Sequence, residues 1–137
     1  MIAGSQRYCL ILTLLLLSAC QSGGPAAEFE LSVKQQQPRK LMVAIARNVQ
    51  KCWFKGGNTN FRKFRMANEL NSYAGRPRLL LVPKNNPAGL PSLVVQAHSM
   101  DDLTRLHVFG PLLATNAGKT ISADIKNWTS GKTTCVN

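Results

Sequence analysis

Leu79-Leu80-Leu81-Val82 is an unbroken apolar run set between Pro77 and Pro83. Proline removes a backbone donor and clashes with the preceding helical turn, so the run is too short to be a buried helix. Successive side chains of a strand point to opposite faces, so four apolar residues in a row need apolar surroundings on both sides. The pattern therefore predicts a central, two-sided strand.

Neighbouring segments supply the rest of a sheet. Phe64 and Met66 alternate with Arg65 and Ala67, a short amphipathic strand. Asn71 to Gly75 and Asn85-Asn86-Pro87-Ala88-Gly89 have turn composition. Leu90 to Ser99 and Leu103 to Leu113 flank Asp101-Asp102 and read as a hairpin. Placing Met100 opposite Leu103 pairs His98 with Arg105 and Gln96 with His107. One face then carries Leu93, Val95, Ala97, Leu106 and Val108, and the other carries Gln96, His98, Arg105 and His107. A one-residue slip would mix the two sets, which supports the register. Asp-Asp is not a favoured two-residue turn pair, so a longer loop is the alternative. Gly110-Pro111 is expected to disturb the end of this last strand.

Helices bracket the sheet. From about Pro38 to Phe54, Leu41, Ile45, Val49 and Cys52 fall on one stripe with Met42 and Trp53 beside it. Pro38 suits a first helical turn, and Gly56-Gly57-Asn58 ends the segment. A short helix is expected from about Ile121 to Thr129, with Ile121, Ile125 and Trp128 inward. The fold class read from this pattern is α+β: an N-terminal helix on a small antiparallel sheet of about four strands, a short C-terminal helix, and one disulfide.

The start of the chain has a different character. Arg7 precedes an apolar run from Cys9 to Leu17, broken only by Thr13, and small residues lead to Cys20. About nine apolar residues are too few to span a bilayer, which needs roughly 20, but they suit the core of an export signal. Leu17-Ser18-Ala19-Cys20 resembles the lipobox of bacterial lipoproteins. The resemblance implies cleavage before Cys20, a diacylglyceryl group on its thiol and a further acyl chain (palmitate) on its amine. Several acyl chains anchor stably, since each buried CH₂ contributes about 0.8 kcal/mol. Gln21 stands where Asp favours inner-membrane retention in that family, so the resemblance implies an outer-membrane anchor facing the periplasm. The organisation expected is a signal at 1–19, a lipidated flexible tether at 20–37, disordered at least to about Ser32, and one globular domain at 38–137.

Charge limits the partners. There are 17 Lys and Arg against 6 Asp and Glu, and only Arg7 lies in residues 1–19, which leaves 16 against 6, or +10. Such a surface attracts polyanions. In an envelope these are lipid phosphates, lipopolysaccharide, peptidoglycan carboxylates and acidic protein faces, and no nucleic-acid partner is expected. Arg62-Lys63-Phe64-Arg65 and Arg76-Pro77-Arg78 would be neighbours if their strands pair. Arg62, Lys63, Arg65, Arg76 and Arg78 are the candidate anion-binding residues, with Tyr73 at the connecting turn placed to stack on a sugar or aryl group. The alternative is a solvated strand face.

With Cys9 discarded and Cys20 acylated, Cys52 and Cys135 remain in an oxidising compartment, where one intramolecular disulfide is expected. Two free buried thiols and a metal site are the competing readings, the latter without any C-x-x-C pair. His98 and His107 share a face with Arg105, which repels cations, so no metal site is expected. The acids are scattered, no hydrolase or nucleotide motif is present, and no enzyme activity or cofactor is expected. A helix ending Cys52-Trp53, a small antiparallel sheet and a late cysteine resemble the C-terminal domains of TolA- and TonB-type envelope proteins, which dock other envelope proteins through a small sheet. That likeness covers the helix end and the order of elements. The family's glycine-centred strand motif is missing, so no residue role is transferred. The expected function is a non-enzymatic envelope lipoprotein that docks or helps assemble a partner, with binding of anionic glycan or lipid as the alternative.

Overall fold

The computed structural model describes residues 27–136 apart from Gln35 and Ser72. Five strands form one antiparallel sheet: β1 (Glu28–Lys34), β2 (Phe64–Glu69), β3 (Arg78–Pro83), β4 (Leu93–Met100) and β5 (Leu103–Phe109). Their spatial order is β1-β5-β4-β3-β2. Four of them form a meander, and β1 closes it by lying beside β5. Helix α1 (Pro38–Val49) continues as a π-helical segment (Gln50–Lys55), and helix α2 (Ala117–Thr129) follows the sheet.

The central-strand reading of residues 79–82 holds. Leu79 and Leu81 are fully buried in the main core and Val82 is buried on the opposite face. The hairpin register also holds, with Met100 opposite Leu103, His98 opposite Arg105 and Gln96 opposite His107. The longer loop does not occur. Asp101 takes a positive φ of 51°, which lets two residues make the turn.

The sheet has five strands rather than about four, because part of the expected tether is folded. Glu28–Lys34 pairs with β5 in full register, from Glu28 opposite Phe109 to Lys34 opposite Leu103. Its side chains alternate exposed and half-buried, with Phe29, Leu31 and Val33 packed on the core. The tether expected at 20–37, and its disorder to about Ser32, are therefore corrected from Glu28 onward. Residues 20–26, Cys20 included, lie outside the described residues.

Both helices pack on one face of the sheet. The core they enclose joins Leu41, Met42, Ile45 and Val49 of α1 to Leu93, Val95, Ala97, Leu106 and Val108 of the hairpin and to Ile121, Ile125 and Trp128 of α2. Trp53 lies in the centre, stacked on Phe61 at 4.6 Å and tilted against Trp128 at 5.4 Å. Cys52 and Cys135 form the expected disulfide, with Cα atoms 5.4 Å apart across a separation of 83 residues. α2 begins at Ala117, earlier than Ile121, because Pro111–Ala114 makes a 3₁₀ turn that leads directly into it. Among the described residues no helix is long and apolar enough to cross a membrane.

Candidate functional site

The basic residues do not form one patch. β2 and β3 pair as expected, but the register sets Phe64 opposite Pro83 and Glu69 opposite Arg78. Arg62, Lys63 and Arg65 thus lie at one end of the hairpin, and Arg76 and Arg78 at the other. Arg65 and Arg78 are separated along the sheet by about four residues, or roughly 13 Å. Arg78 is also engaged by Glu69 in a surface ion pair. Tyr73 lies fully exposed at the Arg76 end. The anion-binding group expected from the sequence is therefore divided between the two ends of the sheet.

The end that carries Lys63 gains a residue that the sequence reading missed. The Lys84 N–H donates to the Lys63 carbonyl, which places two exposed lysines on adjacent strands. Between them opens a cavity of ≈ 540 Å³ lined by Lys63, Phe64, Pro83, Lys84, Asn85, Ser92, Pro111, Leu112 and Thr115. Of its lining, Phe64 and Leu112 are buried and Lys63 and Lys84 exposed, with the Lys63 ammonium 5.5 Å from the centre of the Phe64 ring. A second recess, sharing Lys63, Leu112 and Thr115, runs to the start of α2. Lys84 follows a strand-ending proline, and only the strand register shows that it meets Lys63.

Gly110 holds this end together. Its φ is 135°, and a Cβ there would lie 2.6 Å from the Ser92 carbonyl oxygen. That close approach lets the Leu112 N–H donate to the same carbonyl at 2.9 Å. β5 therefore stops at Phe109, and the 3₁₀ turn closes over the end of β4.

A different recess of ≈ 560 Å³ lies between α1 and β2. Val43, Ala46, Met66 and Leu70 give it apolar walls, and Arg47, Lys51 and Lys55 surround it. Lys51 donates to the Thr133 carbonyl at 3.2 Å. No acid lines it, and the outer edge of β2 has no strand partner among the described residues.

The sheet face away from the helices carries a row of charges. Arg105 pairs with Glu30 at 3.1 Å and His107 with Glu28 at 2.8 Å. His98 Nδ1 and Arg105 Nε are shielded there with no hydrogen-bond partner among the described residues. The two histidines share this face, as the register requires. Each has a cation or an engaged carboxylate beside it, which suits a polar surface better than a cation ligand set.

Comparison of the chain with protein-family models, curated proteins and solved structures finds no match.

Proposed function

We propose that the chain is a non-enzymatic lipoprotein of a bacterial envelope, anchored through Cys20 in the outer membrane and acting as a docking or assembly accessory. The observation that carries this reading is the outer edge of β2, which has no strand partner among the described residues, beside the recess under α1. An edge strand presents a row of backbone donors and acceptors to an incoming strand. Arg47, Lys51 and Lys55 beside it suit an extended segment with acidic side chains. The lipobox tetrapeptide supports the location, and the pairing of Cys52 with Cys135 accords with an oxidising compartment.

In-cell photo-cross-linking from Asn68, on the exposed edge strand, followed by mass spectrometry tests the docking reading. A single dominant protein attached at this position is the expected result. Attachment to peptidoglycan or lipid alone would defeat it. Labelled palmitate should enter the wild-type chain and not the Cys20→Ser variant. Labelling that persists in the variant would remove the anchor from the reading.

The second reading, a binding module for anionic glycan or lipid, is favoured by a separate observation. Exposed Lys63 and Lys84 line one cavity with buried Phe64 and Leu112, a combination that suits an anionic head carried on an apolar body.

A further inference from the structure

Strand β1 begins at the same end of the sheet as the Lys63–Lys84 cavity. The Ala27 carbonyl accepts from the Gly110 N–H. Gly110 leads into Pro111 and Leu112 of the cavity wall. Glu28, Phe109, Val94 and Leu80 lie in one row across the sheet. Past that row the chain of β3 leads on to Lys84, about 13 Å further towards the end of the sheet at which β1 starts.

Only seven residue steps separate Cys20 from Ala27. Fully extended they reach about 25 Å. Had the domain begun at Pro38, the tether would have been more than twice as long and would have allowed any orientation. With β1 folded, an acyl anchor on Cys20 holds this end of the sheet towards the bilayer.

The charges agree with that orientation. Of the chain's six acids, only Glu28 lies at this end, and it is paired with His107. Glu69, Asp101 and Asp102 lie at the opposite end, Glu30 is paired with Arg105, and Asp124 is buried. Arg62, Lys63, Arg65 and Lys84 are all exposed at the anchored end. The β3–β4 loop beside them bears Leu90, 90% exposed. Cations around an exposed apolar side chain match an anionic lipid surface, where phosphates meet the cations and the apolar side chain enters the acyl boundary.

We propose that this end of the sheet, formed by Arg62, Lys63, Arg65, Lys84 and Leu90, docks on the anionic headgroups of the membrane that holds the anchor. The proposal rests on the reading of Cys20 as acylated and adds a second, electrostatic contact that orients the domain. The opposite end, with Tyr73 and the acidic turn, and the β2 edge then face away from or along the membrane and stay open to partners.

Hydrogen exchange of the mature acylated chain tests this, in vesicles of phosphatidylglycerol with phosphatidylethanolamine and in vesicles of phosphatidylcholine alone. The amides of loop 84–90 should exchange more slowly in the anionic vesicles only, and the slowing should fade as salt is raised. The turn at 73–75 should exchange alike in both. Lys63→Glu with Lys84→Glu should abolish the slowing, and Leu90→Asp should weaken it. These residues are exposed, so the variants should keep the melting temperature of the parent. Arg76→Glu with Arg78→Glu makes the same change of charge at the far end and should leave the slowing intact. Each lysine near such a surface favours binding about fivefold. Equal loss from the two double reversals, or an acylated chain with no selective slowing, would overturn the docking. Acylation is read separately, from the mass of the N-terminal peptide. If Cys20 carries no lipid, selective slowing of the chain mixed with the same anionic vesicles still upholds the docking, and its absence overturns it.

Discussion

Asp124 shows how single residues fasten this fold. Its side chain is fully buried, yet both oxygens are used: Oδ2 accepts from Trp53 Nε1 at 2.7 Å and Oδ1 from the Val136 N–H at 2.7 Å. One carboxylate thus ties α2 to the π-helical end of α1 and to the C-terminal tail. A buried polar group costs little when its partners are present and much when one is removed. Asp124→Asn keeps the shape but turns an NH₂ towards one of the two N–H donors. It should lower stability by about 1–3 kcal/mol, read as a lower urea midpoint with an unchanged slope. Val136 is the residue after Cys135, so the hydrogen bond and the disulfide hold the same piece of tail. The loss should be smaller in the reduced protein, where the tail is already free, and additive losses would show that the two fastenings are independent. The sequence exposed little of this. Trp53 was legible as core from its place beside the helical stripe. In the sequence Asp124 is only an acid within the short C-terminal helix, because its partners come from segments 71 residues before it and 12 after.

Among the elements, β1 and the Gly110 bend shape the domain. The segment Glu28 to Lys34 alternates polar and apolar residues without a break, the period-2 signal of a half-buried strand. Its setting between Gly23-Gly24-Pro25 and Gln35-Gln36-Gln37 gave it the composition of a linker, and that composition masked the alternation. The partner of β1 is β5, roughly 70 to 80 residues later, so nothing local announces the pairing. The last strand was expected to weaken at Gly110-Pro111 and does so. Gly110→Ala should cost about 1–3 kcal/mol, since the φ of 135° strains any side chain and the new Cβ meets the Ser92 carbonyl. Denaturant unfolding measures it. A neutral result would mean that the 3₁₀ turn can move off β4. The cavity between Lys63 and Lys84 depends on that turn for its Pro111 and Leu112 wall, so the same variant should also disturb the chemical shifts around Lys84.

For the molecule as a whole, two long-range features matter: one crosslink and an uneven distribution of charge. In the chain-entropy model, closing a loop of this length lowers the entropy of the unfolded chain by an amount worth about 4.5 kcal/mol. Opening the Cys52–Cys135 bond, by reduction or as the double Cys→Ala variant, should cost about 2–5 kcal/mol. Thiol titration of residues 27–137, unfolded and unreduced, should detect neither cysteine, and a reactive Cys52 or Cys135 would contradict the pairing. The excess of basic residues was plain from composition, but its placement was not. The α+β class, the inward faces of both helices and the hairpin register all follow from periodicity. That signal is local, so the sequence alone determined them; the disulfide partners were one of several readings of four cysteines, and the fold decided between them. Which cations meet, at which end of the sheet β1 begins, and which strands lie at its edges among the described residues depend on antiparallel register and on pairing between distant segments. Register converts a difference of a few residues into more than 10 Å across a sheet. For that reason the tertiary structure alone separated Arg65 from Arg78, brought Lys84 to Lys63, and set both lysines at the end of the sheet where β1 begins.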